Sequence, residues 1–61
     1  MTEQEFEIVE TMKKYGGGFV QALAECFMRA DHINFAKLRL VFDNYWTQYK
    51  DMKEAITNTT L

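Results

Sequence analysis

The sequence predicts an all-α fold, a small bundle of three to four helices completed by dimerisation. Three observations carry that expectation. The chain contains no proline, its apolar residues recur in steps of three and four, and cap-forming residues and glycines stand between the periodic stretches. Length supplies the dimer: 61 residues make one domain, residues 1–61, and a chain this short buries only about 60% of the surface its unfolded form exposes. One cysteine, Cys26, excludes an intrachain disulfide. Together with the lone His32 it falls short of a four-ligand zinc site, so no metal or other cofactor is expected. Apolar residues form 48% of the chain, more than so small an interior hides, and the surplus asks for a second copy or an obligate partner.

Each element has its own signal. Thr2 followed by Glu5 fits a capping box, and Glu3, Glu5, Lys13 and Lys14 suit the two ends of a helix dipole. The first helix is therefore expected from Glu3 to Lys14, with Phe6, Val9 and Met12 as one stripe and Ile8 and Tyr15 beside it. Gly16-Gly17-Gly18 follows. Three glycines inside a helix cost about 1 kcal/mol each relative to alanine, so a break is expected here. A continuous helix stays open, because the apolar phase of Val9 and Met12 carries on to Phe19 and Leu23.

The second helix is expected from Phe19 to Ala30, with Phe19, Val20, Leu23, Cys26, Phe27 and Ala30 on its apolar face and Gln21, Glu25 and Arg29 opposite. Cys26 reads there as a small buried hydrophobe. Asp31 is both the end of this helix and the N-cap of the next. Phe35, Leu38, Phe42, Tyr45, Tyr49, Met52 and Ile56 then alternate in steps of three and four from His32 to Ile56, with a local break expected at Asp43-Asn44. Ile33, Val41 and Trp46 widen that stripe, which suits a globular bundle better than a two-stranded coiled coil. The tail Thr57–Leu61 is polar and is expected to fray.

Composition narrows the function. A net charge of −2 and a pI near 5.2 speak against a generic nucleic-acid binder. No run of about 18 apolar residues is present to span a membrane. The acidic start Met1–Glu5 lacks the basic region of a secretory signal, and a free thiol suits a reducing cytoplasm. Catalysis is not expected: His32 has Asp31 beside it in sequence but no group positioned across a site. The glycine triplet precedes a helix start, where amides hold anions, yet no Lys-Ser or Lys-Thr pair and no strand accompany it. A tight turn or close backbone approach is the favoured reading, and a sponge for a nucleotide signal is the minor one. Lys37 and Arg39 after the Asp31 turn leave a helix-turn-helix regulator as another alternative, although two cations on an apolar helix are poor groove readers.

Two surfaces remain as candidates for binding a protein. The first is aromatic: Phe42, Trp46 and Tyr49, with Trp46 about 100° from Tyr45 on the helical wheel. Core and interface are equally good readings of it. The second is acidic: Glu3, Glu7 and Glu10 share one face of the first helix, which is more often a solvated face than a docking site.

From Tyr15 to Met52 the chain carries the run Tyr15–Asp31 (YGGGFVQALAECFMRAD), then Asn34-Phe35, Lys37-Leu38, Phe42, Tyr45-Trp46 and Tyr49. This pattern resembles a group of short phage and prophage open reading frames with a Tyr-Gly-Gly start, an Ala-Leu-Ala-Glu-Cys-like helix and a terminal Tyr-Trp or Tyr-Phe. Members of that group are expected to carry proline near positions 32 or 43, where this chain has His32 and Asp43. The resemblance implies a phage accessory protein of the bacterial cytoplasm that binds and inhibits a host protein, such as a defence nuclease or a CRISPR-like complex.

Overall fold

The computed structural model describes residues 1–59, with side chains through Ile56. Its helices are α1 (Glu3–Tyr15), α2 (Gly18–Arg29), α3 (His32–Val41) and α4 (Asp43–Thr59), and no strand occurs among the described residues. The all-α bundle expected from the sequence is the observed architecture. The helix α4 continues through Thr59, into the polar tail expected from Thr57. Thr60 and Leu61 lie outside the described residues.

Local chemistry sets each boundary. At the start of α1 the Thr2 hydroxyl accepts from the Glu5 amide at 3.1 Å, and the Glu5 carboxylate accepts from the Thr2 amide at 2.8 Å. Two amides that the helix leaves unpaired are thereby satisfied. At the other end Gly16 and Gly17 are extended, and the Gly16 amide donates to the Met12 carbonyl. The glycines thus break the helix, and none of them has a positive φ. The need for glycine is one of space, and only at Gly16: a Cβ there would strike the Val20 side chain and lie 2.5 Å from the Met12 carbonyl oxygen. Gly17 and Gly18 face open surroundings.

Asp31 caps α3 as expected, its carboxylate accepting from the Asn34 amide at 2.8 Å. The long C-terminal stripe bends at Phe42, whose φ of −109° and ψ of 35° leave helical geometry. Backbone bonding continues across the bend, from the Phe42 amide to Leu38 and from the Trp46 amide to Phe42. Arg39 bridges the joint to Asp43 at 3.2 Å. The break falls one residue ahead of the expected Asp43-Asn44.

The core is shared by three helices. Ile8, Val9 and Met12 come from α1, Val20, Leu23, Ala24 and Phe27 from α2, and Trp46 and Tyr49 from α4. The larger of these, such as Ile8, Val9, Met12, Leu23 and Phe27, each stabilise the fold by about 1.5–3 kcal/mol on burial. The buried Thr11 satisfies its hydroxyl by donating to the Glu7 carbonyl at 2.8 Å. α3 buries none of its residues; it leans on the core through Phe35 and Leu38, which are half-buried.

Several expectations about which side chains lie inside need correction. Cys26 is exposed, because the inner face of α2 centres on Val20, Leu23, Ala24 and Phe27 and leaves Cys26 about 100° from Phe27. Phe6, Tyr15 and Phe19 are also exposed. Phe6 lies outside the α1 stripe because Ile8 and Thr11, not Phe6, share the buried face with Val9 and Met12. Ile33 and Val41 do not widen the core stripe: both point to solvent.

Candidate functional site

The expected aromatic anchors are the first group the fold redistributes. Trp46 is only 5% exposed and sits between Phe27, at 5.1 Å between ring centres, and Phe35, at 5.8 Å. The Arg39 guanidinium covers its outer face at 4.5 Å. Tyr49 is buried as well. Of the three residues Phe42, Trp46 and Tyr49, only Phe42 reaches the surface, half-buried with its ring 6.0 Å from Phe19 and 6.4 Å from Tyr45. Of the two open readings, core and interface, burial places Trp46 and Tyr49 in the core of the single chain. The bend at Phe42 is the cause: it lets α4 turn its Trp46–Tyr49–Lys53 edge toward α1 and α2 while Tyr45 and Met52 flank it.

The acidic face of α1 is partly spent. Glu3 and Glu10 are exposed, with the half-exposed Phe6 between them on the outer side of the helix. Glu7 pairs with Lys53 of α4 at 3.3 Å, and this pair ties the two helices together. Lys13 on the same outer side bonds Glu25 of α2 at 2.9 Å. That hydrogen bond and the attraction between the charges raise the Lys13 pKa, and the same bond to Lys13 lowers that of Glu25. The face is therefore mixed in sign and partly paired.

His32 lines a cleft of about 310 Å³ with Glu5, Asp31 and Phe35. Both carboxylates there already serve as helix caps, so neither is placed as a free partner for the imidazole. Among the described residues no group of three or more His, Cys, Asp or Glu side chains is arranged to hold a metal ion. Nor is any helix long and apolar enough to cross a membrane. The helix-turn-helix alternative relied on Lys37 and Arg39; Arg39 is held between the Trp46 ring and the Asp43 carboxylate.

The open apolar surface lies elsewhere, on α3 and the side of α2 next to it. Ile33 is 64% exposed, Leu40 82% and Val41 71%. On a helical wheel Ile33 and Leu40 stand nearly opposite Phe35 and Leu38, so α3 is apolar on both sides and packed on one. Beside it, α2 and α3 enclose a wedge of about 430 Å³ whose walls are Cys26 and Ala30 on one side and Leu38, Val41 and Phe42 on the other. Phe19, 59% exposed, continues the apolar strip past Phe42. Arg29, Asn34 and Lys37 form the polar rim.

Sequence reasoning did not single out this surface, yet a signal for it was present. Ile33 and Leu40 fall on the wrong side of the His32–Val41 wheel to join the Phe35–Leu38 stripe, and a break near Asp43 removes any second core for them to face. In comparisons with known protein families, with curated proteins and with solved structures, the chain finds no match.

Proposed function

We propose that the chain is a non-catalytic binding protein of phage type, which docks on a protein of the bacterial host through the apolar surface of α2 and α3 and blocks it sterically. The observation that carries this reading is α3 itself. Six of its ten residues are Ile, Phe, Ala, Leu or Val, yet none is buried. Exposed apolar surface is unfavourable by about 25 cal/mol per Å², and large exposed apolar side chains gathered on one helix of so small a protein are characteristic of an interface. A docked partner removes that cost.

A steric mode agrees with the state of the charged groups. Glu5 and Asp31 cap helices, Arg39 and Asp43 bind each other, and Lys13 holds Glu25. Among the described residues no pair converges on an open cleft with the geometry that proton transfer requires. The phage context comes from the Tyr15–Met52 resemblance, which makes a host defence nuclease or its complex the proposed target. The proposed homodimer would form on the Ile33 and Leu40 side of α3, away from the wedge between α2 and α3.

The test is affinity capture from bacterial lysate with tagged wild-type protein and with a Leu40→Glu/Val41→Glu variant, followed by an activity assay of whatever is captured. The expected result is a host protein retained by the wild type, lost with the variant and inhibited by added wild-type protein. Equal capture by both baits would refute the assignment of the surface, and capture without inhibition would refute the blocking role.

A further inference from the structure

The wedge between α2 and α3 differs in charge from the rest of the molecule. The chain has nine carboxylate residues and seven Lys and Arg, but the wedge is lined by Arg29 and Lys37 and by no Asp or Glu. The Arg29 side chain is 85% exposed, and its one ion pair, 3.6 Å to Glu25, is shared with the shorter bond from Lys13. Lys37 has no ion pair among the described residues. Two cations thus stand over an apolar floor, with no carboxylate in the wedge to neutralise them.

From this we infer that the wedge receives an amphipathic helix of a protein partner, one whose apolar stripe is bordered by carboxylates. The inference rests on the binding function proposed above and specifies the chemistry of the partner. A helix is the fitting occupant because both walls are helices. No strand edge is offered among the described residues, so an extended peptide would leave its main-chain groups unpaired, while a helix satisfies its own. From Asn34 to Val41 the α3 wall runs about 10 Å at 1.5 Å per residue, room for about two turns of a docked helix. Cys26 and Ala30 on the α2 wall are small enough to admit a close approach.

Charge also selects against a second copy. The helix of this chain with an open apolar face is α3, which would bring its own Lys37 against Arg29 and Lys37 of the first copy, and like charges at a contact disfavour it. The outer side of α1 has the right acids, but between Glu3 and Glu10 Phe6 is its one exposed apolar side chain.

Cys26 is the chain's one cysteine, is exposed and lines the wedge, so its alkylation by iodoacetamide reports occupancy. Two synthetic helical peptides of about eighteen residues share one Leu/Phe stripe, flanked by Glu in the first and by Lys in the second. The expected result is that the Glu-flanked peptide slows alkylation, less so as salt rises, and the Lys-flanked peptide does not. An Arg29→Glu/Lys37→Glu variant, both positions being exposed and its fold checked by circular dichroism, should weaken the Glu-flanked peptide about tenfold and favour the other. Protection by neither peptide, or equal protection by both, overturns the inference. So does self-protection of Cys26 that grows with protein concentration and needs no peptide, which would make a second copy the occupant. These results leave the Leu40- and Val41-dependent capture of a host protein standing or falling on its own assay.

Discussion

Replacing Trp46 with alanine separates a core residue from a surface anchor. The indole is 5% exposed, touches the rings of Phe27 and Phe35, and lies under the Arg39 guanidinium. Truncating a buried tryptophan to alanine costs about 3–5 kcal/mol through lost transfer free energy and the cavity left behind. Two ring contacts at about 0.5–1.5 kcal/mol each and a cation–π contact at about 0.5–1 kcal/mol place this site toward the upper end. A 61-residue domain has in total about 3–9 kcal/mol of stability. Trp46→Ala should therefore remove most of the fold, and Trp46→Phe, which keeps a ring between Phe27 and Phe35, should lower stability by about 1–2 kcal/mol. The assay is thermal and urea unfolding followed by far-UV circular dichroism, because the only tryptophan is lost as a fluorophore. A small domain shifts in Tm by about 4–8 °C per kcal/mol, so Trp46→Phe should melt about 5–15 °C lower while Trp46→Ala shows no cooperative transition or a much reduced one. A Trp46→Ala protein that melts like the wild type would refute the placement of Trp46 in the core, and with it the bend at Phe42 that puts it there.

The other predictions rest on separate features. Gly16→Ala should destabilise by about 1–3 kcal/mol, since a Cβ there meets the Met12 carbonyl and Val20 and neither neighbour retreats freely; Gly18→Ala, in open space with no positive φ, should instead stabilise by about 0.4–1 kcal/mol, and urea midpoints of the two variants test the opposite signs. Leu40→Glu/Val41→Glu should leave the melting temperature within a few degrees of wild type, because surface substitutions usually change stability by less than about 0.5 kcal/mol each. A collapse in its melt would show these residues to be structural. The Lys13–Glu25 pair sets a pH window. The lowered pKa of Glu25 gives a contribution present above the ordinary carboxylate range and lost as pH falls through the depressed value, while the raised pKa of Lys13 gives one lost only as pH rises through the elevated value. Both groups are exposed and screened, so melting at low salt is the condition to use. Glu25→Gln should then lower Tm near neutrality and converge with wild type in acid.

The helices were legible because their signals are local. The Thr2–Glu5 box, the glycine triplet and Asp31 each act within four residues, and all appear as boundaries. The side chains that face inward were harder to read, since that depends on how helices meet. Cys26 shares an apolar arc with Leu23 and Phe27, and only the approach of α1 and α4 decides that the inner part of that arc is Val20, Leu23, Ala24 and Phe27. Trp46 stayed open between core and interface because it lies about 100° from Tyr45 on the wheel of the stripe from Phe35 to Ile56. A single non-helical residue, Phe42, resets the phase and turns Trp46 inward while leaving Ile33 and Leu40 outward. Of the acidic candidates, Glu7 was the least readable, as its partner Lys53 lies far along the chain.

The central claim is that the apolar surface of α2 and α3 binds a protein partner. Its most direct test is a two-dimensional NMR titration of isotope-labelled protein with the partner recovered by affinity capture. The account predicts that amide signals of Cys26, Ile33, Leu38, Leu40 and Val41 shift or broaden first while those of Glu3 to Glu10 hold still. Perturbation confined to the α1 face, with α3 unchanged, would contradict it.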